Sequence, residues 1–305
     1  MNNFTIHLET EKIASITFPT PKPVFTTLHV KGLKKDFKIL HFTDIHACAA
    51  DEAEKEAMEP VRRDYIPGRQ KLFGGGRAYP SDAALPALIR YGEEISADLI
   101  LMTGDIIDFP SEANLSLLKS CIDSSRVPVL YITGNHDWSF SDDYHTENAA
   151  MTYLTRVDAI SNCVDHATVY ENDTVLVCAV DSGLDRIRKE TLNAYLTAAR
   201  RAKQAGKALI LALHVPVHAE TLVEDTVRVW RRELTIGEGA FGCDDPDTMA
   251  FYNTVAVEPE LAPGAVLAGH VHFDHEDTFP NGTPQYITGI ACDGHCRVVT
   301  LTPDE

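Results

Sequence analysis

The sequence predicts an α/β fold in which a mostly parallel sheet is covered by helices. Two observations carry that expectation. Short continuous apolar runs alternate with stretches at helical spacing from Phe37 onward, the pattern of strands buried on both faces by crossover helices. The apolar runs also stop abruptly in small clusters of Asp, Asn, His and Gly, and in open α/β sheets the ligand crevice lies at the carboxyl ends of the strands. With 305 residues, 44% hydrophobic and 24% charged, the chain is long enough to bury a sizeable core. We expect a β appendage over residues 1–36 and a main domain over 37–305, with insertions at about 47–80 and 218–263.

Taken in order, Phe4 to Val30 alternates apolar and polar residues in two runs separated by Pro19, Pro21 and Pro23. This appendage either extends a sheet edge or forms a contact between copies. Ile39 to His46 is a short apolar strand that ends in Asp44-Ile45-His46. The first insertion follows, with an acidic block (Asp51, Glu52, Glu54, Glu56, Glu59), a basic block (Arg62, Arg63, Arg69, Lys71, Arg77) and Gly74-Gly75-Gly76. It has the position of a lid and reads equally well as a solvated charged loop. Ser81-Asp82 reads as the N-cap of a helix through Ile95, with Leu85, Leu88 and Ile89 on one face. Asp98 to Thr103 is a buried strand ending at Gly104-Asp105. Ser111 caps a helix carrying Leu115, Leu118 and Ile122. Val127 to Thr133 is a third strand, ending at Gly134-Asn135-His136-Asp137.

Val164 to Tyr170 and Thr174 to Val180 form a hairpin across Glu171-Asn172-Asp173. A helix from Glu190 to Ala205 stops at Gly206. Ala208 to Leu213 is a strand that delivers His214. The second insertion contains Trp230, the cluster Arg228, Arg231 and Arg232, and a helix start at Asp245-Pro246. Gly264 to Ala268 delivers Gly269-His270-Val271-His272. Two closing strands, Pro284 to Ile290 and Arg297 to Thr302, are expected to complete a second sheet. The run Cys292-Asp293-Gly294-His295-Cys296 between them reads as their Asp-Gly turn.

Composition removes several functions. A formal net charge of −18 repels nucleic-acid backbones and anionic membranes, so nucleic acid is disfavoured as a partner. Seven cysteines in a scattered, odd set with no Cys-x-x-Cys point to reduced thiols in a reducing compartment. Met1 to Phe18 lacks a signal-peptide pattern, and no run approaches the ~20 apolar residues of a membrane span. The expected location is cytoplasmic. The oligomeric state stays open.

The strand-end residues are Asp44, His46, Asp105, Asn135, His136, His214, His270 and His272. This nitrogen and oxygen set, without thiolate, suits Mn²⁺, Fe²⁺/Fe³⁺, Zn²⁺ or Co²⁺; Mg²⁺ normally takes fewer imidazoles. Eight such residues are too many for one ion, whereas two ions sharing a carboxylate would use seven of them.

In fixed order, Asp44-x-His46, Gly104-Asp105-x-x-Asp108, Gly134-Asn135-His136-Asp137, His214 and Gly269-His270-x-His272 resemble the calcineurin-like metallophosphoesterase superfamily, from about Phe37 to Thr302. The resemblance implies a four-layer α/β/β/α sandwich of two mixed sheets flanked by helices. It implies that Asp44, His46 and His272 hold one metal ion, that Asn135, His214 and His270 hold a second, and that Asp105 bridges them. His136 would face the substrate phosphate and assist at the leaving group, with Asp108 orienting it. A metal-bridging hydroxide would attack phosphorus. Asp108 is followed by Phe109-Pro110 where protein phosphatases of the superfamily place Arg-Gly, and Asp137 stands where they place Glu. These departures argue against a protein phosphatase, whereas Val180-Asp181-Ser182-Gly183, then a helix, then Leu211-Ala212-Leu213-His214-Val215-Pro216 is similar to the cyclic-nucleotide-phosphodiesterase-like branch, which implies a small-molecule phosphodiester substrate. A phosphomonoesterase or nucleotide pyrophosphatase with the same site, and an inactive binding scaffold on the same fold, are the alternatives. Arginines of the two insertions are candidates for contacting a second phosphate.

Overall fold

The computed structural model describes residues 4–6, 16–18, 21–31, 33–52, 60–75, 81–140, 148, 150–161, 163–164 and 166–304. Gly76, Arg77 and most of the acidic block lie outside the described residues, as do the side chains of Arg62 and Arg63.

The strands are β1 (Phe4–Ile6), β2 (Ile16–Phe18), β3 (Lys22–Val30), β4 (Phe37–Phe42), β5 (Leu99–Thr103), β6 (Val129–Ile132) and β7 (Ala167–Glu171). They continue with β8 (Val175–Val180), β9 (Ala208–Leu213), β10 (Ala265–Ala268), β11 (His275–Thr278), β12 (Pro284–Ile287) and β13 (His295–Pro303). The α-helices are α1 (Pro60–Arg69), α2 (Ala84–Glu94), α3 (Glu112–Ser124), α4 (Thr155–Ser161), α5 (Lys189–Ala205), α6 (Glu220–Trp230) and α7 (Pro246–Tyr252). β1 and β2 pair with each other. The rest form a five-stranded sheet in the order β3-β13-β4-β5-β6 and a six-stranded sheet in the order β11-β12-β10-β9-β8-β7.

Both sheets are mixed, and they face each other. Ile39, Leu101 and Ile132 of one sheet meet Val177, Ile210 and Leu267 of the other in a shared apolar layer. The outer face of the five-stranded sheet, with Leu40, Phe42 and Met102, is covered by Leu85 and Leu88 of α2 and Leu115 and Leu118 of α3. The outer face of the six-stranded sheet packs under Tyr195 and Ala199 of α5 and Phe251 of α7. The result is helices, sheet, sheet and helices in four layers. Strands β5, β8, β9 and β10 are buried on both faces, which is why each reads as a nearly unbroken apolar run.

Three of the four helix-end signals read from the sequence behaved as their chemistry requires. Ser111 accepts from Asn114 N at 3.1 Å, and Asp245 accepts from Thr248 N at 2.7 Å. Gly206 closes α5 with φ +64°. Ser81 does not cap α2; its hydroxyl donates to the His46 carbonyl at 2.7 Å, because Ser81–Ala83 forms a separate 3₁₀ turn. The two closing strands do not share a sheet. β12 joins the six-stranded sheet, while β13 lies between β3 and β4 in the other. The chain between them is therefore a crossing over the 3₁₀ turn Ala291–Asp293, and no hairpin forms at Cys292 to Cys296. Apolar residues on both sides of β13 (Val298 outward, Val299 and Leu301 inward) suit a central strand better than an edge. β3 takes the edge beside it, in parallel register from Lys22↔His295 to Val30↔Pro303. β11 is His-Glu-Asp-Thr, which carries no apolar pattern to announce a strand.

Two buried polar groups tie the sheets together below the strand ends. His41 is fully buried, with ring nitrogens 2.8 Å from Thr103 Oγ1 and 2.8 Å from Thr288 Oγ1. Arg297 of β13 donates to Thr26 Oγ1, Glu276 and the Ile287 carbonyl.

Candidate metal centre

Every strand-end cluster named from sequence meets at one end of the sandwich. The means is an unusual backbone. Asp44, His46, Asp105, His270 and His272 all have φ between +50° and +72°, in the left-handed region that costs a non-glycine residue about 1–3 kcal/mol. At those points the chain turns out of the strand and aims the side chain at a common centre. Backbone bonds hold the turns: Asp44 N to Gly104 O at 3.0 Å, His46 N to Asp105 O at 2.8 Å and Ala47 N to Ile106 O at 3.0 Å. Glycines let the loops approach. A Cβ on Gly134 would lie 2.3 Å from Asp105 Oδ1, and one on Gly269 would lie 2.1 Å from Thr43 Oγ1.

Asp137 serves the same end. Its two oxygens accept from the backbone N–H groups of Asp105 (2.8 Å), Ile106 (2.9 Å), Ile107 (2.9 Å) and Gly134 (2.6 Å). One carboxylate thus moulds two ligand-bearing loops. Sequence reasoning used Asp137 only to choose between branches, and nothing in its position announces four N–H donors.

The site divides into two groups. In the first, His272 Nε2 lies 3.3 Å from Asp44 Oδ1 and 3.1 Å from His46 Nε2. In the second, His214 Nε2 lies 3.2 Å from Asp105 Oδ2 and 3.1 Å from His270 Nδ1. The same Asp105 oxygen is 3.8 Å from His46 Nε2, so it faces both groups. Asn135 and His270 line the same cavity as Asp105.

Hydrogen bonds behind the site fix which nitrogen carries a lone pair. His46 Nδ1 donates to Asp108 Oδ1 at 2.8 Å, leaving Nε2 for the centre. His214 Nδ1 faces the Thr103 carbonyl, which can only accept, at 2.8 Å, so its Nε2 meets Asp105 Oδ2 acceptor to acceptor. Asp44 Oδ2 receives Thr43 Oγ1 at 2.8 Å and His270 N at 2.9 Å, leaving Oδ1 free to turn inward.

This donor set fits metal ions. Asp44 Oδ1 and Asn135 Oδ1 are buried with no hydrogen-bond partner among the described residues. Such atoms are costly unless something cationic meets them. Metal–nitrogen bonds of about 2.1 Å would set neighbouring ligand atoms about 3.0–3.4 Å apart. His272 Nε2 stands at that spacing from Asp44 Oδ1 and His46 Nε2, and His214 Nε2 from Asp105 Oδ2 and His270 Nδ1, while His46 Nε2 and Asp44 Oδ1 are wider at 3.8 Å. The ligand atoms of Asp44-His46-His272 and of Asp105-His214-His270 lie within 4.8 Å of one another, as do those of His46-Asp108-His136. The charge balance agrees. Burial pulls His214 down, but Asp105 outweighs it and pushes the imidazole up to about 10, so without a metal this site would draw in a proton instead. Burial takes His46 down to about 4, against the pull of Asp108.

His136 is placed beside this set. Its backbone N–H donates to Asp105 Oδ1 at 2.9 Å, its Nδ1 lies 3.2 Å from Asp108 Oδ1, and its Nε2 lies 4.0 Å from Asp105 Oδ2. Burial works against its protonation, yet Asp105 and Asp108 together raise it above the ordinary histidine value. Asp108, fully buried, serves three partners: His46, His136 and Arg69, the last through Nε to Oδ2 at 2.6 Å and a terminal nitrogen to Oδ1 at 2.5 Å.

Above the centre opens a cavity of about 580 Å³. The first insertion supplies Arg69, Leu72 and Phe73 to its wall, and the second supplies Trp230, Arg232, Leu234 and Phe241. Trp230 is held by its Nε1 donating to the Val271 carbonyl at 2.8 Å, with its ring edge-on to His272 at 5.4 Å. Arg228 points elsewhere and pairs with Asp225 at 2.7 Å. Asp185, unremarked in the sequence, also lines the cavity. The sequence holds two more triplets of the Asp44-x-His46 kind: Asp143-Tyr144-His145 lies outside the described residues, and in Asp293-Gly294-His295 the histidine pairs with Asp274 at 2.9 Å.

A family model described as calcineurin-like phosphoesterase matches residues 37–274. Among solved structures, a dimetal phosphatase from Danio rerio is similar, with 14% identity, a TM-score of 0.51 and coverage of 89% of this chain and 94% of that one. Protein TT1561 of Thermus thermophilus aligns at 10% identity and a TM-score of 0.45, over 84% of this chain and 90% of that one. No curated protein sequence matches the chain.

Proposed function

Because this chain belongs to the calcineurin-like phosphoesterase family, we propose that it is a two-metal hydrolase of small-molecule phosphoesters, with phosphodiesters preferred. The observation that carries this reading is Asp105 Oδ2, one buried carboxylate oxygen 3.2 Å from His214 Nε2 and 3.8 Å from His46 Nε2. In this reading Asp44, His46 and His272 hold the first ion, Asn135, His214 and His270 the second, and Asp105 both. When bound, two ions of the Mn²⁺, Fe or Zn²⁺ type supply Lewis-acid polarisation of the phosphoryl oxygens and an activated water.

The chain's own groups do the rest. His136, protonated and steadied by Asp108, donates a proton to the leaving ester oxygen. The aromatic walls exclude water and seat the ester substituents. Support for a diester comes from charge. Arg69, one of two arginines lining the cavity, is already held by Asp108. A diester brings one negative charge and asks less of free cations than a monoester dianion. The reading places the protein in the cytoplasm, supported by seven free cysteines. No described helix is long and apolar enough to cross a membrane.

The test is turnover of bis-p-nitrophenyl phosphate against p-nitrophenyl phosphate after loading with Mn²⁺. Faster diester hydrolysis supports the proposal. Faster monoester hydrolysis would shift it to a phosphomonoesterase, and turnover of neither, in protein carrying two metals, would contradict it.

A further inference from the structure

The first insertion touches the candidate metal centre twice, through a single short segment. Arg69, at the end of α1, grips Asp108 with two nitrogens at 2.6 and 2.5 Å, and Asp108 in turn holds His46 Nδ1 at 2.8 Å. Four residues on, the Phe73 ring lies flat on the His46 imidazole, with centroids 4.4 Å apart and planes 8° from parallel. The Arg69 guanidinium lies 4.7 Å over the Phe73 ring. Arg69, Asp108, His46 and Phe73 therefore close a ring of contacts around one imidazole. Gln70 adds an anchor to the chain just past that ligand, donating to the Cys48 carbonyl at 2.8 Å.

We propose that this segment is a clamp on the first metal ion, with Arg69 as the positioning residue that couples the insertion to the His46 site. The proposal rests on the two-metal reading above. The chemistry is one of orientation. A metal takes the His46 Nε2 lone pair only while Nδ1 keeps its proton and the ring keeps its angle. Asp108 secures the proton through Oδ1, and the same oxygen lies 3.2 Å from His136 Nδ1, so the carboxylate's orientation sets both contacts. The bidentate guanidinium fork fixes its plane, a task a lysine ammonium performs poorly. Phe73 secures the ring angle. By linkage, a metal bound to His46 must in turn hold down residues 66–75.

The experiment titrates the full-length protein with Mn²⁺ alone, by competition with a chromophoric chelator, alongside hydrogen exchange with and without Mn²⁺. Partners behind a metal ligand usually govern affinity by about 10–100-fold. Arg69→Gln is expected to weaken one of two Mn²⁺ steps about 10-fold and to leave the other within about 2-fold. Arg69→Lys should fall between Arg69→Gln and the native protein. Phe73→Leu, which removes the stack and leaves the ion pair, should weaken the same step. In the native protein Mn²⁺ should slow exchange in residues 66–75 but not in α5, and Arg69→Gln should abolish that slowing. Two unchanged Mn²⁺ steps in Arg69→Gln and Phe73→Leu, or exchange in 66–75 indifferent to Mn²⁺, would overturn the clamp and leave the two-metal reading standing. If Arg69→Gln does not fold, Arg69→Lys and Phe73→Leu decide the matter. Native protein that binds fewer than two Mn²⁺ would overturn both.

Discussion

Gly269→Ala isolates the close approach on which the centre depends. Gly269 is not among the positive-φ positions, so alanine brings a contact problem and no backbone strain. The added Cβ would stand 2.1 Å from Thr43 Oγ1 and 2.7 Å from Asp44 Oδ2, where ordinary contact begins near 3.4 Å. Thr43 would have to retreat by about 1.3 Å and the Asp44 carboxylate by about 0.7 Å. The two are bonded to each other at 2.8 Å, so they must move together. A misplacement of about 1 Å in a catalytic array costs about 100-fold in rate, or about 2.7 kcal/mol of barrier. Overpacking of this kind costs about 1–3 kcal/mol of stability. We predict a roughly 100-fold lower kcat/KM on bis-p-nitrophenyl phosphate and weaker Mn²⁺ binding, with stability read from urea unfolding of metal-free protein. Gly68→Ala is the control: its Cβ meets nothing within 4 Å, and alanine in a helix adds up to about 1 kcal/mol. Activity of Gly269→Ala within about 3-fold of native, with native Mn²⁺ affinity, would refute the reasoning.

Three further outcomes are expected. His136→Ala should keep two metals by elemental analysis and lose about 10²–10⁴-fold in kcat; full activity would remove His136 from the chemistry. Asp137→Asn places an amide donor against backbone N–H groups and should cost about 3 kcal/mol in denaturant unfolding, with loss of metal; a change below about 1 kcal/mol would show that the loops hold themselves. His41 is pulled down from 6.5 to about 3, by burial first and then by Arg297, so between those values the unfolded chain binds a proton that the folded chain refuses. Its contribution to stability is therefore complete above 6.5 and lost as pH falls, by about 1.4 kcal/mol per pH unit. His41→Gln should flatten the unfolding free energy between pH 6.5 and about 5 by about 2 kcal/mol relative to native, and an unchanged slope would contradict the buried neutral state.

Much of the site was legible because strand ends in this fold are where residues of unlike chemistry cluster. Gly134-Asn135-His136 and Gly269-His270-Val271-His272 follow unbroken apolar runs, and burial on both faces of β6 and β10 is what makes those runs visible. Long-range pairing was less legible. β13 reads the same whether it joins β12 or β4, since alternation reports burial and not partner. β11 was invisible because an exposed edge strand of polar residues carries no pattern. The role of Asp137 depends on four N–H groups brought together by two loops, and that of Arg69 on a helix folding back across the site. Neither arrangement leaves a local trace in residue order.

A single carboxylate, Asp105, is proposed to stand between two cations, and the chemistry follows from that. Anomalous diffraction from Mn²⁺-loaded crystals tests it most directly. Two peaks about 3.5–4 Å apart, flanking Asp105, are expected, with Asp44, His46 and His272 around one and Asn135, His214 and His270 around the other. A single peak, or peaks away from Asp105, would contradict it.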